Sequence, residues 1–188
     1  MREPVLTIER PLYDNHDLPP RFLKYGLDDF AEPVVRHVLE RFVNDPDCWS
    51  LYLWGDTGSR KTTLGVVLMA HMRAEAKATT RLGDFVATYT AVKVINDVKN
   101  PAMRKRVDSW WKSPYLFVDD LGKHRDTPFV KEQLLHMLHY RYDRAVTEKT
   151  IITANMDLAQ LGKRIDDATA RRLEEGLVVK LTCPEAKP

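Results

Sequence analysis

The sequence predicts an α/β fold in which helices cover both faces of a parallel β-sheet. Short apolar segments alternate along the chain with segments whose apolar residues recur at helical spacing. This alternation is typical of strand–helix–strand units, whose strands pair in parallel. A glycine-rich loop follows the first apolar segment, and polar residues follow two of the later ones. Because parallel sheets bind ligands at the carboxyl ends of their strands, these residues indicate where a site would form.

Five apolar segments have the length of buried strands and are bounded by turn-forming residues. The predicted strands span residues 50–54, 84–90, 115–118, 150–153 and 177–181. The intervening segments carry apolar residues on one helical face or open with helix-start signals. The predicted helices span residues 28–43, 62–76, 91–98, 128–145, 157–161 and 166–175.

The length of 188 residues suits one domain with a sizeable core. Residues 1–25 are rich in proline and charge, which predicts an extended arm laid on the domain surface. We expect the domain itself to span residues 26–183 and a short tail to span residues 184–188.

Composition narrows the class of protein. The net charge of +2 gives no whole-molecule basicity, so a nucleic-acid site would have to come from local clustering. Cys48 and Cys183 are far apart and lack metal or redox spacing, which predicts free thiols in a reducing compartment. No apolar stretch approaches the roughly 18–20 residues of a membrane span, and the N-terminus lacks the apolar core of a signal peptide. We therefore expect a cytoplasmic protein.

The most informative motif is the loop after the first predicted strand. Its sequence over residues 55–63, GDTGSRKTT, nearly matches the phosphate-binding pattern G-x-x-x-x-G-K-[ST]. In such loops backbone N–H groups cradle the phosphates, the lysine reaches the β- and γ-phosphates, and the hydroxyl ligates Mg²⁺. A plain glycine turn is the alternative interpretation of this loop. A strand before the loop and a helix after it favour nucleotide binding. The expected nucleotide contacts are Gly55, Asp56, Thr57, Gly58, Ser59, Arg60, Lys61, Thr62 and Thr63.

Arg60 departs from this pattern, because it stands where the pattern has glycine. Glycine lets the backbone approach the phosphates without Cβ crowding. If the loop keeps its usual shape, the arginine side chain must point outward, towards a phosphate or a neighbouring subunit. If it does not, the loop is distorted. We expect weakened but real ATP binding with slow intrinsic hydrolysis, and we expect Arg60→Gly to tighten binding or speed turnover. A drop in both would show instead that Arg60 is a functional part of a variant loop.

Two adjacent carboxylates end the third predicted strand, in the sequence YLFVDDLG. A solvated acidic turn is one interpretation. The other is a magnesium and water site, in which Asp119 holds Mg²⁺ and Asp120 orients the attacking water. Because the pair comes some 60 residues after the phosphate loop, a chance combination of the two motifs is improbable.

Two further polar positions follow the fourth strand. Asn155 comes directly after it and can hydrogen-bond a γ-phosphate or the lytic water, although asparagine is also common in turns. Arg171 and Arg172 lie within a short predicted helix. One of them can act as an arginine finger on the ATP of a neighbouring subunit, while solvated arginines are the plainer alternative. Adjacent residues point about 100° apart on a helix, so only one is expected to do this.

Taken in order, the motifs resemble those of AAA+ ATPases in the DnaC/DnaI helicase-loader and IstB transposition-helper group. The resemblance covers nearly the whole chain and rests on LPPRF at 18–22, GDTGSRKTT, YLFVDDLG, RY at 141–142, TIITAN at 150–155 and ARRLEEG at 170–176. It implies a P-loop NTPase fold, a three-layer αβα sandwich whose five-stranded parallel sheet has the order 5-1-4-3-2. It also implies Mg²⁺ and ATP as cofactors, and assembly into a homo-oligomer on single-stranded DNA with a replicative DNA helicase as partner.

The resemblance also assigns individual residues. It implies that Arg21 and Phe22 lie near the adenine and that Arg172 is the arginine finger. Besides Arg60, the chain departs from the group at Asp120, where many AAA+ proteins have glutamate, and at Arg171, where serine is frequent.

A basic segment with aromatic residues is the candidate for binding DNA. It contains Arg104, Lys105, Arg106 and Trp110. Cations that track a phosphate backbone and rings that stack on bases are typical of single-strand grooves. A solvated basic helix end with tryptophans packed in the core is the alternative, and the sequence slightly favours it. His136 and His139 have metal-ligand spacing but no evident third ligand, so we expect surface histidines.

Four functions remain open on the sequence. The first is an ATPase that loads or remodels a replicative helicase on single-stranded DNA. A transposase helper would use the same residues. A non-hydrolysing nucleotide-binding adaptor is kept open by Arg60. A small P-loop kinase is disfavoured by Asn155 followed by a finger-like helix. The short chain suits a phage or mobile-element protein.

Overall fold

The computed structural model describes residues 20–22, 24–30, 33–78, 112–123, 127–145 and 148–183. Within them, four strands form one sheet: β1 Ser50–Trp54, β2 Tyr115–Leu121, β3 Lys149–Ala154 and β4 Leu177–Lys180. The helices are α1 Pro33–Asn44, α2 Lys61–Ala78, α3 Pro128–Tyr142, α4 Leu158–Arg164 and α5 Asp167–Glu174. Two 3₁₀ helices, Pro20–Phe22 and Leu27–Phe30, precede α1. None of the described helices is long and apolar enough to cross a membrane.

The sheet has the strand order β2-β3-β1-β4, and every neighbouring pair is parallel. The predicted α/β class with a parallel sheet is confirmed. The described sheet has four strands rather than the predicted five, and the predicted strand at 84–90 and helix at 91–98 lie outside the described residues. The four described strands are the first, third, fourth and fifth of the prediction, and they have the neighbours that the order 5-1-4-3-2 gives them.

Alternation along the strands builds one apolar core on each face of the sheet. Successive side chains of a strand point to opposite faces. On one face, Tyr52 and Ile152 pack in a buried cluster with residues of α3, α4 and α5. On the other, Leu51 and Ile151 pack in a second cluster with residues of α1 and α2. The sheet therefore lies between two helical layers, as the sandwich prediction requires.

The first helix and the third strand of the prediction differ from the described elements. The helix predicted over 28–43 is divided into the 3₁₀ helix Leu27–Phe30 and α1, which begins at Pro33. Proline is tolerated only in the first turn of a helix and disfavours helical geometry in the residue before it, so one continuous helix cannot form. Strand β2 runs beyond the predicted 115–118 to Leu121 and includes a register irregularity between Val118 and Leu121.

A fully buried arginine joins the end of α3 to the end of the sheet where β2 and β3 begin. Arg141 donates to Thr150 Oγ1 at 2.6 Å and to the carbonyl of Ser113 at 2.8 Å. It also donates to the carbonyl of Lys149 at 2.6 Å and forms an ion pair with Glu148 at 3.2 Å. Burial lowers the pKa of Arg141 to about 10, which leaves the side chain charged at neutral pH. These bonds join the end of α3 to the start of β3 and to the residues before β2.

Candidate functional site

The loop that the sequence predicts to bind phosphate connects the end of β1 to the start of α2. Gly55 and Gly58 have φ of 143° and 92°, a backbone region that side chains with a Cβ rarely adopt. A Cβ on Gly55 would stand 2.0 Å from the carbonyl oxygen of Leu181. Leu181 lies this close because its N–H donates to the carbonyl of Trp54 at 2.7 Å. Gly55 is therefore required by the chain that leaves β4, as well as by the phosphate pattern.

Lys61 begins α2, and its buried ammonium group lies inside the loop. The Nζ atom donates to the carbonyls of Gly55 and Asp56, each at 2.7 Å, and to Ser59 Oγ at 3.2 Å. Burial lowers the pKa of Lys61, and the carboxylate of Asp120 opposes this shift. A cation held at the centre of a loop at a helix N-terminus is what a phosphate group requires.

Thr62 and Asp119 form the part of the site that suits a magnesium ion. Thr62 Oγ1 donates to Asp119 Oδ1 at 2.8 Å, which brings the first turn of α2 against the end of β2. Burial raises the pKa of the Asp119 carboxyl, and hydrogen bonds from Thr153 and Thr62 oppose the rise. A hydroxyl and a carboxylate in contact are the oxygen ligands that Mg²⁺ prefers in nucleotide sites. The residues present therefore fit the predicted Mg²⁺.

Thr153 holds both carboxylate residues in place, and the sequence analysis did not identify it. Its buried hydroxyl donates to Asp119 Oδ1 at 2.5 Å and accepts the backbone N–H of Asp120 at 2.8 Å. The signal was present, since Thr153 follows two isoleucines near the end of the strand. Only the position beside β2, which the sheet order supplies, gives that threonine a role.

Asp120 adopts a left-handed backbone conformation, with φ of 56°. Aspartate tolerates this region better than most residues. The residue lies within the register irregularity of β2, so the strand bends where the two carboxylates occur. Its side chain is partly exposed and forms an ion pair with Lys123 at 2.8 Å. Asp119 is thus held inward by hydroxyl groups, while Asp120 keeps its carboxylate near solvent.

Arg60 also has a left-handed backbone, with φ of 64°. This explains why the pattern has glycine at this position. The guanidinium carbon lies 5.0 Å from the ring centroid of Tyr25 and 5.0 Å from that of Phe30. The side chain thus contacts the chain's own N-terminal residues, which the sequence analysis did not name. The sequence predicts instead contact with a phosphate or with a neighbouring subunit.

Arg21 and Phe22 lie in the first 3₁₀ helix, which contacts α2. The ring of Phe22 packs against the apolar cluster of β1 and α2. The guanidinium of Arg21 lies 4.6 Å from the centroid of that ring. Both residues are therefore beside the helix that follows the phosphate loop.

Asn155 lies at the same edge of the sheet as the loop. Trp54 pairs with Ala154 across β1 and β3, so Gly55 and Asn155 leave adjacent strands at the same level. The side chain of Asn155 is exposed. Loop, carboxylates and amide therefore occupy one edge, as the sequence predicts from the carboxyl ends of parallel strands.

Arg172 is the predicted site residue that the fold keeps away from the loop of its own chain. Its carbonyl accepts the Nε1–H of Trp49 at 3.1 Å, and Trp49 precedes β1. The loop follows β1, and five residues of strand span about 16 Å. The guanidinium lies 5.0 Å from the centroid of Tyr142, and its buried Nη1 has no hydrogen-bond partner among the described residues. Arg171, beside it, is exposed.

The other residues that the sequence singles out are the basic DNA-binding candidates, the histidines and the cysteines. The predicted DNA-binding residues Arg104, Lys105, Arg106 and Trp110 lie outside the described residues. His139 Nε2 lies 3.3 Å from Thr169 Oγ1. Within the part of the chain that the structure describes, no three histidine, cysteine, aspartate or glutamate side chains are grouped to hold a metal ion. Cys183 is exposed, and its Sγ lies 3.8 Å from the carbonyl of Gly58 in the phosphate loop.

Comparison with solved structures identifies the fold. A crystal structure of the DnaC helicase loader superposes with a TM-score of 0.70 at 21% identity, covering 87% of this chain and all of that one. The crystal structure of DnaI gives 0.69 at 22% identity, covering 88% of this chain and 95% of that one. The chain has a DnaC/DnaI-like AAA+ fold.

A third AAA+ neighbour is longer than this chain. The replication initiator DnaA, bound to AMPPCP and single-stranded DNA, superposes with a TM-score of 0.67 at 16% identity. The match covers 89% of this chain and 51% of DnaA, so the chain spans about half the length of that protein. No protein-family model matches the sequence, and no curated protein does. The likeness to these solved structures therefore shows the fold of the chain.

Proposed function

We propose that this chain binds Mg-ATP and is an AAA+ ATPase that loads or remodels a replicative DNA helicase on single-stranded DNA. The observation that carries the nucleotide part is the contact between Thr62 Oγ1 and Asp119 Oδ1 at 2.8 Å, beside the buried ammonium group of Lys61. Three residues from two separate motifs meet at the edge of the sheet where both motifs predicted a ligand.

Each residue has a distinct role in this proposal. Lys61 and the loop N–H groups bind the phosphates, while Thr62 and Asp119 hold Mg²⁺, which neutralises phosphate charge when it is bound. Asp120, with its carboxylate near solvent, orients the attacking water, and Asn155 hydrogen-bonds that water or the γ-phosphate. Because Asp119 is buried and Asp120 is not, the structure supports this division between the two carboxylates.

Arg172 acts on a neighbouring chain in the proposal. Its position near the start of β1 argues against an action on its own loop, which lies at the opposite edge of the sheet. An arginine finger stabilises the charge that develops on the transferred phosphoryl group. We therefore propose a homo-oligomer with ATP at the subunit boundary.

The helicase and the DNA are proposed from the likeness to the DnaC helicase loader and to DnaA bound to single-stranded DNA. Arg104, Lys105, Arg106 and Trp110 supply the cations and the ring for a DNA strand. A likeness at this identity supports the fold strongly and the partner only by analogy. Experiment must therefore test the partner separately from the nucleotide.

Calorimetry with Mg-ATP tests the nucleotide site. We expect the wild type to bind and Lys61→Ala to lose binding, since the variant removes the cation inside the loop. Lys123→Ala is the matched control, because it removes an exposed lysine that pairs with Asp120 outside the loop. Wild-type affinity in Lys61→Ala would contradict the assignment.

Helicase loading is tested with the host's replicative helicase and circular single-stranded DNA. We expect helicase to accumulate on the circle when this protein and ATP are present, and not with Lys61→Ala. The reversed-charge variant Arg104→Glu/Arg106→Glu should bind single-stranded DNA more weakly and show a shallower dependence of affinity on salt, because fewer counterions are released. Transposase stimulation without helicase loading would support the transposase-helper alternative.

A further inference from the structure

Arg60 links the phosphate loop to an N-terminal turn. We define the 24–30 segment as residues 24–30, which run from the first 3₁₀ helix to the end of the second. Two of its aromatic rings, Tyr25 and Phe30, lie against the Arg60 guanidinium, with centroids 5.0 Å from the guanidinium carbon in both cases. Cations within about 6 Å of an aromatic centroid are attracted by the ring. The residue that breaks the phosphate-binding pattern therefore has a specific contact inside the same chain.

The backbone of Arg60 reinforces this conclusion. A left-handed conformation is uncommon for residues other than glycine, and it persists where the surrounding structure holds it. The φ of 64° places Arg60 in that region. Its carbonyl also accepts the N–H of Leu64 at 2.9 Å, which joins it to the first turn of α2. The same residue thus belongs to the loop by its backbone and to the 24–30 segment by its side chain.

The 24–30 segment has its own internal order. Tyr25 N–H donates to the carbonyl of Phe22 at 3.2 Å, and Gly26 N–H donates to Asp29 Oδ2 at 2.7 Å. Asp29 N–H donates back to the carbonyl of Gly26 at 3.2 Å. Leu27 and Phe30 pack against the apolar cluster of β1 and α2. These bonded amides report whether the segment is docked.

We propose that Arg60 is a positioning residue that fastens the 24–30 segment to the phosphate loop, so that bound nucleotide and the docked segment stabilise each other. Phosphates bound by the loop fix the backbone of Arg60, and a fixed backbone holds the guanidinium against both rings. Coupling between binding equilibria is reciprocal, so docking of the segment must strengthen nucleotide binding by the same factor. The inference rests on the proposed function, because it requires a nucleotide in the loop.

Hydrogen exchange at the amides of Tyr25, Gly26 and Asp29 tests the proposal, with and without Mg-ATP. Asparagine tolerates the left-handed backbone but lacks the cation. In the Arg60→Asn variant, the exchange rate of these amides should rise about 5- to 30-fold, the ratio expected for the loss of two cation–π contacts. Arg60→Lys keeps a cation and should restore much of the protection. Arg36→Asn is the control, because Arg36 reaches the segment through an exposed ion pair with Asp28 at 2.9 Å. An exposed ion pair contributes little to stability, so the exchange rate in Arg36→Asn should stay close to that of the wild type.

Nucleotide dependence separates a positioning role from a structural one. We expect Mg-ATP to slow exchange in the wild type and to have a smaller effect in Arg60→Asn, whose ATP affinity should also fall. Phe30→Leu removes one of the two ring contacts and should change exchange in the same direction by less. Combining it with Arg60→Asn should add less than the sum of the two effects, since both variants remove the contact between Arg60 and Phe30.

The outcomes distinguish this inference from the proposed function. If the wild type binds Mg-ATP while Arg60→Asn exchanges and binds like the wild type, the inference is wrong and the nucleotide site stands. A gain in affinity in Arg60→Asn would also overturn it, because arginine would then impair the loop. If the wild type binds no Mg-ATP, the proposed function fails first and the inference fails with it.

Discussion

Replacing Thr153 with valine tests the hydroxyl that joins the two carboxylate residues. Valine keeps the shape and the strand preference of threonine but removes the hydroxyl. The variant deletes two bonds, the one to Asp119 Oδ1 and the one from the N–H of Asp120. Asp119 keeps its bond from Thr62, whereas Asp120 N–H loses the acceptor described here.

The expected loss of stability follows from these two bonds. A buried donor left unsatisfied costs about 1–3 kcal/mol, and a hydrogen bond to a charged group contributes about 1.5–3 kcal/mol. The two effects share one hydroxyl and are not additive, so we expect the free energy of unfolding to fall by about 2–4 kcal/mol. For a domain of this size, that lowers the thermal midpoint by roughly 4–16 °C. Affinity for Mg-ATP should fall as well, because the Asp119 carboxylate loses a donor that holds it in position.

Urea unfolding followed by tryptophan fluorescence measures the stability, and calorimetry measures Mg-ATP affinity. Thr153→Ser is the matched control, since it retains the hydroxyl and should remain within about 1 kcal/mol of the wild type. If Thr153→Val unfolds at the wild-type urea concentration and binds Mg-ATP with wild-type affinity, the bridging role of Thr153 is wrong.

Three other predictions concern charged residues. Asp119→Asn should weaken Mg²⁺-dependent ATP binding, whereas Asp120→Asn should bind ATP and lose turnover; full ATPase activity in both would contradict the assignments. Arg172→Ala should bind ATP but hydrolyse it poorly, and mixing it with Asp120→Asn should restore activity that neither variant has alone. Arg171→Ala is the control for that mixing experiment and should keep its activity. Arg141→Leu should lower the free energy of unfolding by about 3–5 kcal/mol in urea titration, because it leaves a buried carboxylate unpaired.

The sequence was sufficient for the parts of the fold that depend on local pattern. Strand β1, the loop and α2 follow from an apolar run, glycines with special backbone angles and a helix after them. Asp119 and Asn155 could be placed at one edge because parallel strands present their carboxyl ends together. The sequence predicts that the strand before the carboxylates ends at residue 118, whereas β2 continues to Leu121. The register irregularity between Val118 and Leu121 has no local sequence signal, so the continuation could not be predicted.

The contacts that sequence could not supply are those between distant segments. The role of Thr153 depends on β3 lying beside β2, and the ring contacts of Arg60 depend on the N-terminal turn reaching the loop. The complete burial of Arg141 could not be inferred either, because arginine is seldom buried and its partners come from two separate places in the chain, residue 113 and residues 148–150. Each of these residues satisfies a constraint that tertiary structure creates.

The contact between Cys183 and the phosphate loop makes the chain suitable for site-specific labelling. The exposed thiol lies 3.8 Å from the carbonyl of Gly58, so an environment-sensitive dye attached there would lie beside the nucleotide. The other cysteine, Cys48, is buried, and burial raises the pKa of its thiol, which disfavours reaction with the dye. A maleimide reagent should therefore label the native protein at one position and convert nucleotide binding into an optical signal without an engineered cysteine.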